Sequence, residues 1–573
     1  MRLCFLLFDN FVSMSKVFLL FGLLFLFFDH GCIWGQNRYS TKDSLTIRKL
    51  YKSQMLESMD SISLDTLLLL ANQNGYLDAG WVRDFQKVNH VDLGLQYKFF
   101  DGKDTLSYAE LTDGWKDLLK NASNMGYPFT KLVVHTDSLV SDSILVLNIK
   151  SFQMDRMTFA KPKIEGNLRI SNYFIQRITN INQGSLFSLK KLEQADEKLR
   201  KVAFISMAKP FQWSVYSRKC TPIWYLNKKS TSKGEFILGL VPKNEGVSNK
   251  LTLTGLASLE LQNALAQGEK IQMFYRQLPS GTRELKLDLD WPYIGFTSMG
   301  AVGSLYLFKR DTSFSELGTS VGLTFDLSET LKLKGTYQYK TSAILTINKV
   351  QILNTLRLPS YTDFKLNGLG LELDLNRLDY IFNPKKGIAA SLKLSGGIKI
   401  IEKNQSVSSL IDPEGRPMEY LYDSILLNAQ QYQAQVVLKY FVPISKNYIL
   451  HVLSHSGYIY SNAPIFDNEK FRLGGNLSIR GFEEQRFLTN SFSYLTMENR
   501  WITGQNSHFF AGVDYGWLDL DGPNRKWTLG LSLGTRFDTK AGIFTLSYAM
   551  GRVKEERWSL KNGKVHIGYA AIF

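Results

Sequence analysis

Cysteine is almost missing from this chain. Its 573 residues include three, Cys4, Cys32 and Cys220, and two of these fall in the first 35 residues. That opening places Lys16 ahead of the apolar run Val17–Phe28 and reaches a small-residue cleavage point at Gly35-Gln36, the pattern of an export signal over 1–35. Met14, which opens "MSKVFLLF", is an alternative start. Only Cys220 would survive cleavage, so an internal disulfide is excluded and the exported chain needs another source of stability. Long apolar runs are missing too. Val17–Phe28 is 12 residues, short of the ~20 that a helical span needs, and later in the chain Leu67–Leu70 is only a short patch. Histidine is scarce, with seven in all. None clusters as metal ligands do; "HVLSH" (His451, His455) reads as a pair on one face of a strand. No metal and no cofactor is expected. Acidic residues are outnumbered, 52 against 68 basic, for a net charge of +16. The basic residues are scattered through alternating segments of an exported chain, which argues for solvated faces and attraction to anionic lipid, with no nucleic acid as partner.

Helical patterns fade after Gly234, where the period becomes two. "KWTLGLSLGTRF" sets Trp527, Leu529, Leu531 and Leu533 against Thr528, Gly530, Ser532 and Gly534. "NSHFFAGVDYGW" sets Phe509, Val513 and Tyr515 against Phe510, Gly512, Asp514 and Gly516. One apolar face and one small or polar face, repeated without intervening helices, is a sheet wet on one side. Sixteen such segments begin near Gly234, Lys250, Gly268, Thr282, Ser298, Glu316, Thr330, Asp363, Lys386, Gln430, Lys446, Phe492, Ser507, Lys526, Lys540 and Lys564. Their length suits membrane strands of ~9–11 residues better than sandwich strands of ~5–6, and the number is even. Connections after segments 7, 9 and 11 are long (342–362, 399–429 and 461–491), and those after segments 2, 10, 12 and 14 are short. Long loops on one side and short turns on the other predict a 16-stranded antiparallel transmembrane barrel over 233–573. "GTSVG" (Gly318–Gly322) matches a hydrolase pattern but lies inside an alternating segment, where the required strand-to-helix turn is missing. No catalytic residues and no small-molecule substrate are expected.

Residues before the barrel read as small mixed modules. Over 155–232 the order is strand ("MTFAKPKIEG"), helix capped by Ser171 ("SNYFIQRI"), helix ("FSLKKLEQADEKLRKV") and two strands ("FQWSVYS", "TPIWYLN"). A looser version of the pattern occupies 36–154, with a helix over "YAELTDGWKDLLKNASNMGYP" and strands over "TKLVVHTDSL" and "SILVLNIKSF".

With "LGGNLSIRGF" between segments 11 and 12, "NRLDYIFNPKKG" at 376–387, "MENR" at 497–500 and "VDYG" at 513–516, the chain resembles the Omp-eighty-five superfamily, the BamA/TamA-like bacterial surface antigens. The resemblance implies α+β periplasmic POTRA modules ahead of an outer-membrane barrel in a Gram-negative bacterium. It implies a sixth-loop motif of Gly474, Gly475, Arg480, Gly481 and Phe482, folded back so that Arg480 meets the lumenal carboxylates Glu498 and Asp514 beside Gly516. Gly512 departs from the family, which usually has Phe there, and weaker aromatic packing follows. The last segment, "KVHIGYAAIF", with His566, Gly568 and Phe573, looks like the β-signal by which barrels are handed to their assembly machinery. The implied function is non-catalytic insertion or export of β-rich polypeptides. Clients would bind POTRA edge strands by β-augmentation, and outer-membrane lipid would surround the barrel. A seam between segments 1 and 16 interrupted by Gly239, Pro242 and Gly568 would pair weakly. The alternatives are a two-partner secretion pore, a passive porin-like barrel and a surface antigen.

Overall fold

The computed structural model describes residues 80–83, 89–92, 98–100, 105–141, 144–242, 251–278, 281–295, 297–328, 330–520, 526–554 and 556–573. The expected signal and the segment up to residue 79 lie outside these. The described chain falls into two compact units, one reaching Leu119 and including Lys131–Phe152, the other joining Lys120–Thr130 to Gln153–Phe573.

In the first unit a four-stranded sheet runs in the order Thr105–Leu106, Lys98–Phe100, Ile144–Phe152, Lys131–Ser141. The helix Tyr108–Asn124 contributes Leu111 and Trp115 to a core with Phe99 and Leu147.

The second unit begins with a module built as the apolar spacing predicts. Ser171 caps the helix Asn172–Thr179 by accepting from the Phe174 N–H, and Ser188 caps Leu189–Lys201 in the same way through the Lys191 N–H. Both helices close over a sheet centred on Lys219–Lys228, with Trp224 and Phe187 buried at its core. The expected first strand is two short pieces, Thr158–Phe159 and Lys163–Glu165. Pro162 falls between them and has no N–H to continue a ladder. Ile205–Tyr216 pairs only with Lys219–Lys228, so its other edge is free among the described residues.

The barrel strands are β1 (Lys233–Pro242), β2 (Leu251–Gln262), β3 (Lys270–Gln277), β4 (Arg283–Trp291), β5 (Met299–Arg310) and β6 (Phe314–Asp326). They continue as β7 (Leu331–Ile344), β8 (Asp363–Leu378), β9 (Gly387–Glu402), β10 (Asn428–Ser445) and β11 (Tyr448–Ser461). The last are β12 (Ser491–Ile502), β13 (His508–Asp519), β14 (Lys526–Asp538), β15 (Ile543–Val553) and β16 (Lys564–Ile572). Each begins within three residues of its sequence-based start, and the sixteen form one closed antiparallel barrel. Side chains such as Val321, Leu369, Val513, Tyr515 and Leu533 stand exposed on the outer face. A continuous exposed apolar surface of this kind is a lipid-facing belt.

The closing seam pairs more evenly than expected. β1 and β16 run antiparallel from Lys233↔Ile572 to Leu240↔Val565, eight pairs, as many as join β2 to β3. Gly239 and Gly568 keep their backbone donors and acceptors, and Pro242 lies beyond the last seam pair, opposite Leu251 of β2.

The motif at 376–387 forms the short turn between β8 and β9. Asp379 Oδ1 accepts from the Lys385 and Lys386 N–H groups at 3.0 and 3.2 Å. Gly387, at φ 119°, passes so close to the Arg377 carbonyl that a Cβ would lie 2.1 Å from its oxygen. At this end of the barrel the module leans on the β2–β3 and β4–β5 turns. The Ser171 N–H donates to the Ala266 carbonyl at 2.7 Å, Phe174 packs on Tyr293 at 5.6 Å between ring centroids, and Tyr173 bonds the Gly295 carbonyl. At the opposite end the three long connections pack on one another through Ile352, Val407, Met418, Tyr422 and Ala463.

Candidate functional site

The connection from 462 to 490, between β11 and β12, is the sixth extracellular loop, and it lies against the inner wall. Its stem is a hairpin in which Phe471–Leu473 pairs with Phe487–Thr489. At the tip Gly474 and Gly475 adopt φ 106° and 100°, backbone that a side chain would strain. Arg480 follows. Its Nε and Nη2 donate to Asp514 Oδ2 and Oδ1, both at 2.8 Å, and its Nη1 donates to Glu498 Oε2 at 2.6 Å. The Arg480 backbone N–H adds a fourth bond, to Asp514 Oδ2 at 2.9 Å. Two parallel bonds to one carboxylate fix the guanidinium plane as well as its position. Asp514 is only 1 % exposed, so the pair sits away from bulk water. Glu498 is shared: Arg500 Nε donates to its other oxygen at 2.7 Å, and His451 Nδ1 lies 3.8 Å away.

Glycines on the wall make room for this tip. A Cβ on Gly481 would lie 2.2 Å from the Met550 carbonyl carbon, and one on Gly530 would lie 2.3 Å from the Arg480 carbonyl oxygen. Gly516 faces Ile479 and Gly551 faces the Phe482 ring, in each case with a would-be Cβ at 2.7 Å. Phe482 is buried and meets Phe487 edge-on at 5.0 Å between centroids. Gly512 has a local reason as well: a Cβ there would lie 2.6 Å from Arg480 Nη2. The aromatic partner comes from two residues earlier, since Phe510 lies 6.0 Å from the Arg480 guanidinium carbon.

The loop is tied to other walls by charges not singled out in the sequence. Arg276 of β3 donates to Glu484 at 2.9 Å and to Glu284 of β4 at 3.0 Å. Arg472 pairs with Glu316 of β6 and lies 3.9 Å over the Phe308 ring. Lys399 of β9 and Glu469 form a fully buried pair at 2.9 Å. The period-two pattern could have found part of this set, because Arg276, Glu284 and Glu316 are charges at lumenal positions of otherwise regular segments.

The remaining singled-out residues lie elsewhere. His566 faces the lumen opposite Gly239 at the seam, and Gly568 pairs with Ile237. Phe573 exchanges backbone hydrogen bonds with Ser232 at 2.9 and 3.1 Å, and its ring is exposed. His451 stacks on Phe441 and His455 Nδ1 meets the Tyr494 hydroxyl at 3.1 Å. "GTSVG" lies within β6. Among the described residues no group of three metal-ligating side chains converges.

A closed 16-stranded barrel with an inward sixth loop and N-terminal α+β modules defines an outer-membrane translocator of the Omp-eighty-five type. Residues 246–537 match the family of haemolysin secretion/activation proteins ShlB/FhaC/HecB, and the chain belongs to that family. Its barrel sits in the outer membrane of a Gram-negative bacterium with the modules in the periplasm. Family members are transporters and assembly factors that act on polypeptides, not enzymes. Solved structures with a similar fold include BamA from Haemophilus ducreyi lacking POTRA domains 1–3, 14 % identical over 81 % of this chain and 93 % of that one, TM-score 0.49. CdiB from Acinetobacter baumannii is 14 % identical over 82 % of this chain and 83 % of that one, TM-score 0.48. CdiB from Escherichia coli is 12 % identical over 90 % of this chain and 100 % of that one, TM-score 0.48. A search of curated protein sequences returned no match.

Proposed function

We propose that this protein exports a β-rich polypeptide through its own lumen, with the sixth loop as a displaceable plug anchored by Arg480 on Asp514 and Glu498. The match of 246–537 to haemolysin secretion/activation proteins carries this reading, because it spans the sixth loop and most of the barrel wall. The plug's attachments support it. They are ion pairs and glycine contacts that a passing chain and water can replace, with no covalent tie. The modules 36–154 and 155–232 act as POTRA domains, and the free edge of Ile205–Tyr216 receives the extended client by β-augmentation. Insertion of client strands at the β1–β16 seam is the second reading. It is favoured by the shortness of these strands, ten and nine residues against sixteen in β8 and β9. Site-specific photo-crosslinking separates the two. A probe at Gln433, on the lumenal face of β10, should capture client during export, and a probe at Ile567, on the lipid face of β16, should not. Capture at Ile567 alone would replace export with insertion.

A further inference from the structure

The outer face of β3–β6 carries a second feature, independent of the lumen. At the extracellular ends of β4 and β5, Arg283 and Lys309 stand directly opposite each other and both are exposed. Like charges placed opposite across a ladder destabilise a sheet unless something lies between them. Neither forms an ion pair, a side-chain hydrogen bond or a ring contact within the described chain. Both point outward, because they continue the faces of Leu285 and Leu287 on β4 and of Leu305 and Leu307 on β5. The next row toward the membrane centre is apolar: Tyr275, Leu285, Leu307 and Leu317 are successive cross-strand partners. A shallow cavity of about 360 Å³ opens on these two rows. Another outward arginine at the same rim, Arg552, is already accommodated, with its guanidinium 5.5 Å from the Trp527 ring and 5.3 Å from Trp558. Arg283 and Lys309 have no such partner.

We infer that this face is a specific site for an outer-leaflet lipid whose headgroup phosphate carries a net negative charge. Its phosphate bridges Arg283 and Lys309, and an acyl chain lies along Leu285, Leu307 and Leu317. The charge fits an anion, the row beneath fits hydrocarbon, and the two are stacked in the order in which a bilayer presents headgroup and chain. A phosphate shared by two cations forms charge-assisted hydrogen bonds and removes the repulsion between them. The site does not depend on whether the client passes through the lumen or leaves at the seam.

The test uses the full exported chain purified in mild detergent doped with bisphosphorylated lipid A or with phosphatidylcholine. Lipid bound per folded chain is counted by native mass spectrometry, and folding is verified by the gel shift of unboiled samples. Wild type and Lys540→Ala, a periplasmic-turn cation, should retain lipid A. The double variant R283A/K309A should lose at least about tenfold of that retention while still showing the gel shift, and Arg283→Lys should keep most of it. Three results would overturn the assignment: undiminished retention in the folded double variant, equal retention of phosphatidylcholine, or displacement of lipid A by inorganic phosphate alone. If the double variant does not fold, the comparison of lipid A with phosphatidylcholine on wild type still decides.

Discussion

Arg480 is held by one carboxylate that depends on it and one that does not. Asp514 receives three of the four bonds that Arg480 makes, whereas Glu498 also has Arg500 at 2.7 Å. In Arg480→Ala the backbone bond to Asp514 remains, but a buried charge loses its counterion. Breaking a buried pair from one side costs on the order of 3–5 kcal/mol, and the surviving bonds argue for the lower end. Asp514→Asn removes the same contact from the other side, so the double variant should lose little more than either single variant. Thermal unfolding and export of the client would be measured for the three variants; additive losses would mean that Arg480 draws its stability from another partner. A period of two puts Glu498 and Asp514 on the lumenal face, whereas their pairing with Arg480, followed by Gly481 in the adjoining loop, was legible only through the resemblance of that loop to the superfamily motif. The depth of burial was not. A water-filled lumen was the expectation from sequence, and local pattern could not reveal that Gly530 and Gly551 lower the wall enough for the loop tip to exclude water. Gly512, read as a loss of packing, is the position that the guanidinium needs empty.

The long connections are elements in their own right. The one between β9 and β10 turns around Asp412, whose carboxylate accepts from the Arg416 and Glu414 N–H groups at 2.8 and 2.9 Å. The Arg416 guanidinium and the Tyr420 hydroxyl also bond it, at 3.1 and 3.2 Å. The backbone hydrogen bond from Arg416 leads in holding this carboxyl below the ordinary carboxylate range. A depressed folded value means that the turn's extra stability is present above the ordinary carboxylate value and is lost as pH falls through the lowered one. Pepsin should therefore cut within 411–417 only below the ordinary carboxylate range. Asp412→Asn, which cannot ionise, should be cut to the same extent across that range. A wild-type cleavage profile with no pH step would remove Asp412 as the clasp. Sequence alone gave the length and side of this loop but not its turn, since the clasp joins a side chain to backbone groups that no periodicity marks.

At the scale of the whole chain, stability is divided between a barrel that closes on itself and modules with apolar cores of their own. Among the described residues the barrel has no unpaired strand edge, and no strand of the preceding module pairs with it; the chain from Lys229 to Ser232 joins the two. Among the described residues the contacts that seat the module on the turns include Ser171 with Ala266 and Gln267, Asn263 with the Arg169 carbonyl, Tyr173 with the Gly295 carbonyl, and Phe174 against Gly268 and Tyr293. Phe174 belongs to the module's own core, so removing the module exposes Tyr293 at one turn and leaves every barrel ladder intact. A chain lacking 36–230 should therefore still insert, and its unboiled form should migrate differently from its boiled form on a mild-detergent gel, as the complete chain should. Export should fail, because the free edge at Ile205–Tyr216 goes with the module and the client loses its template. Recovery of the truncated chain from the soluble periplasm would mean that barrel closure depends on the modules. Export at the full rate by an inserted, truncated barrel would mean that the client reaches the lumen without them.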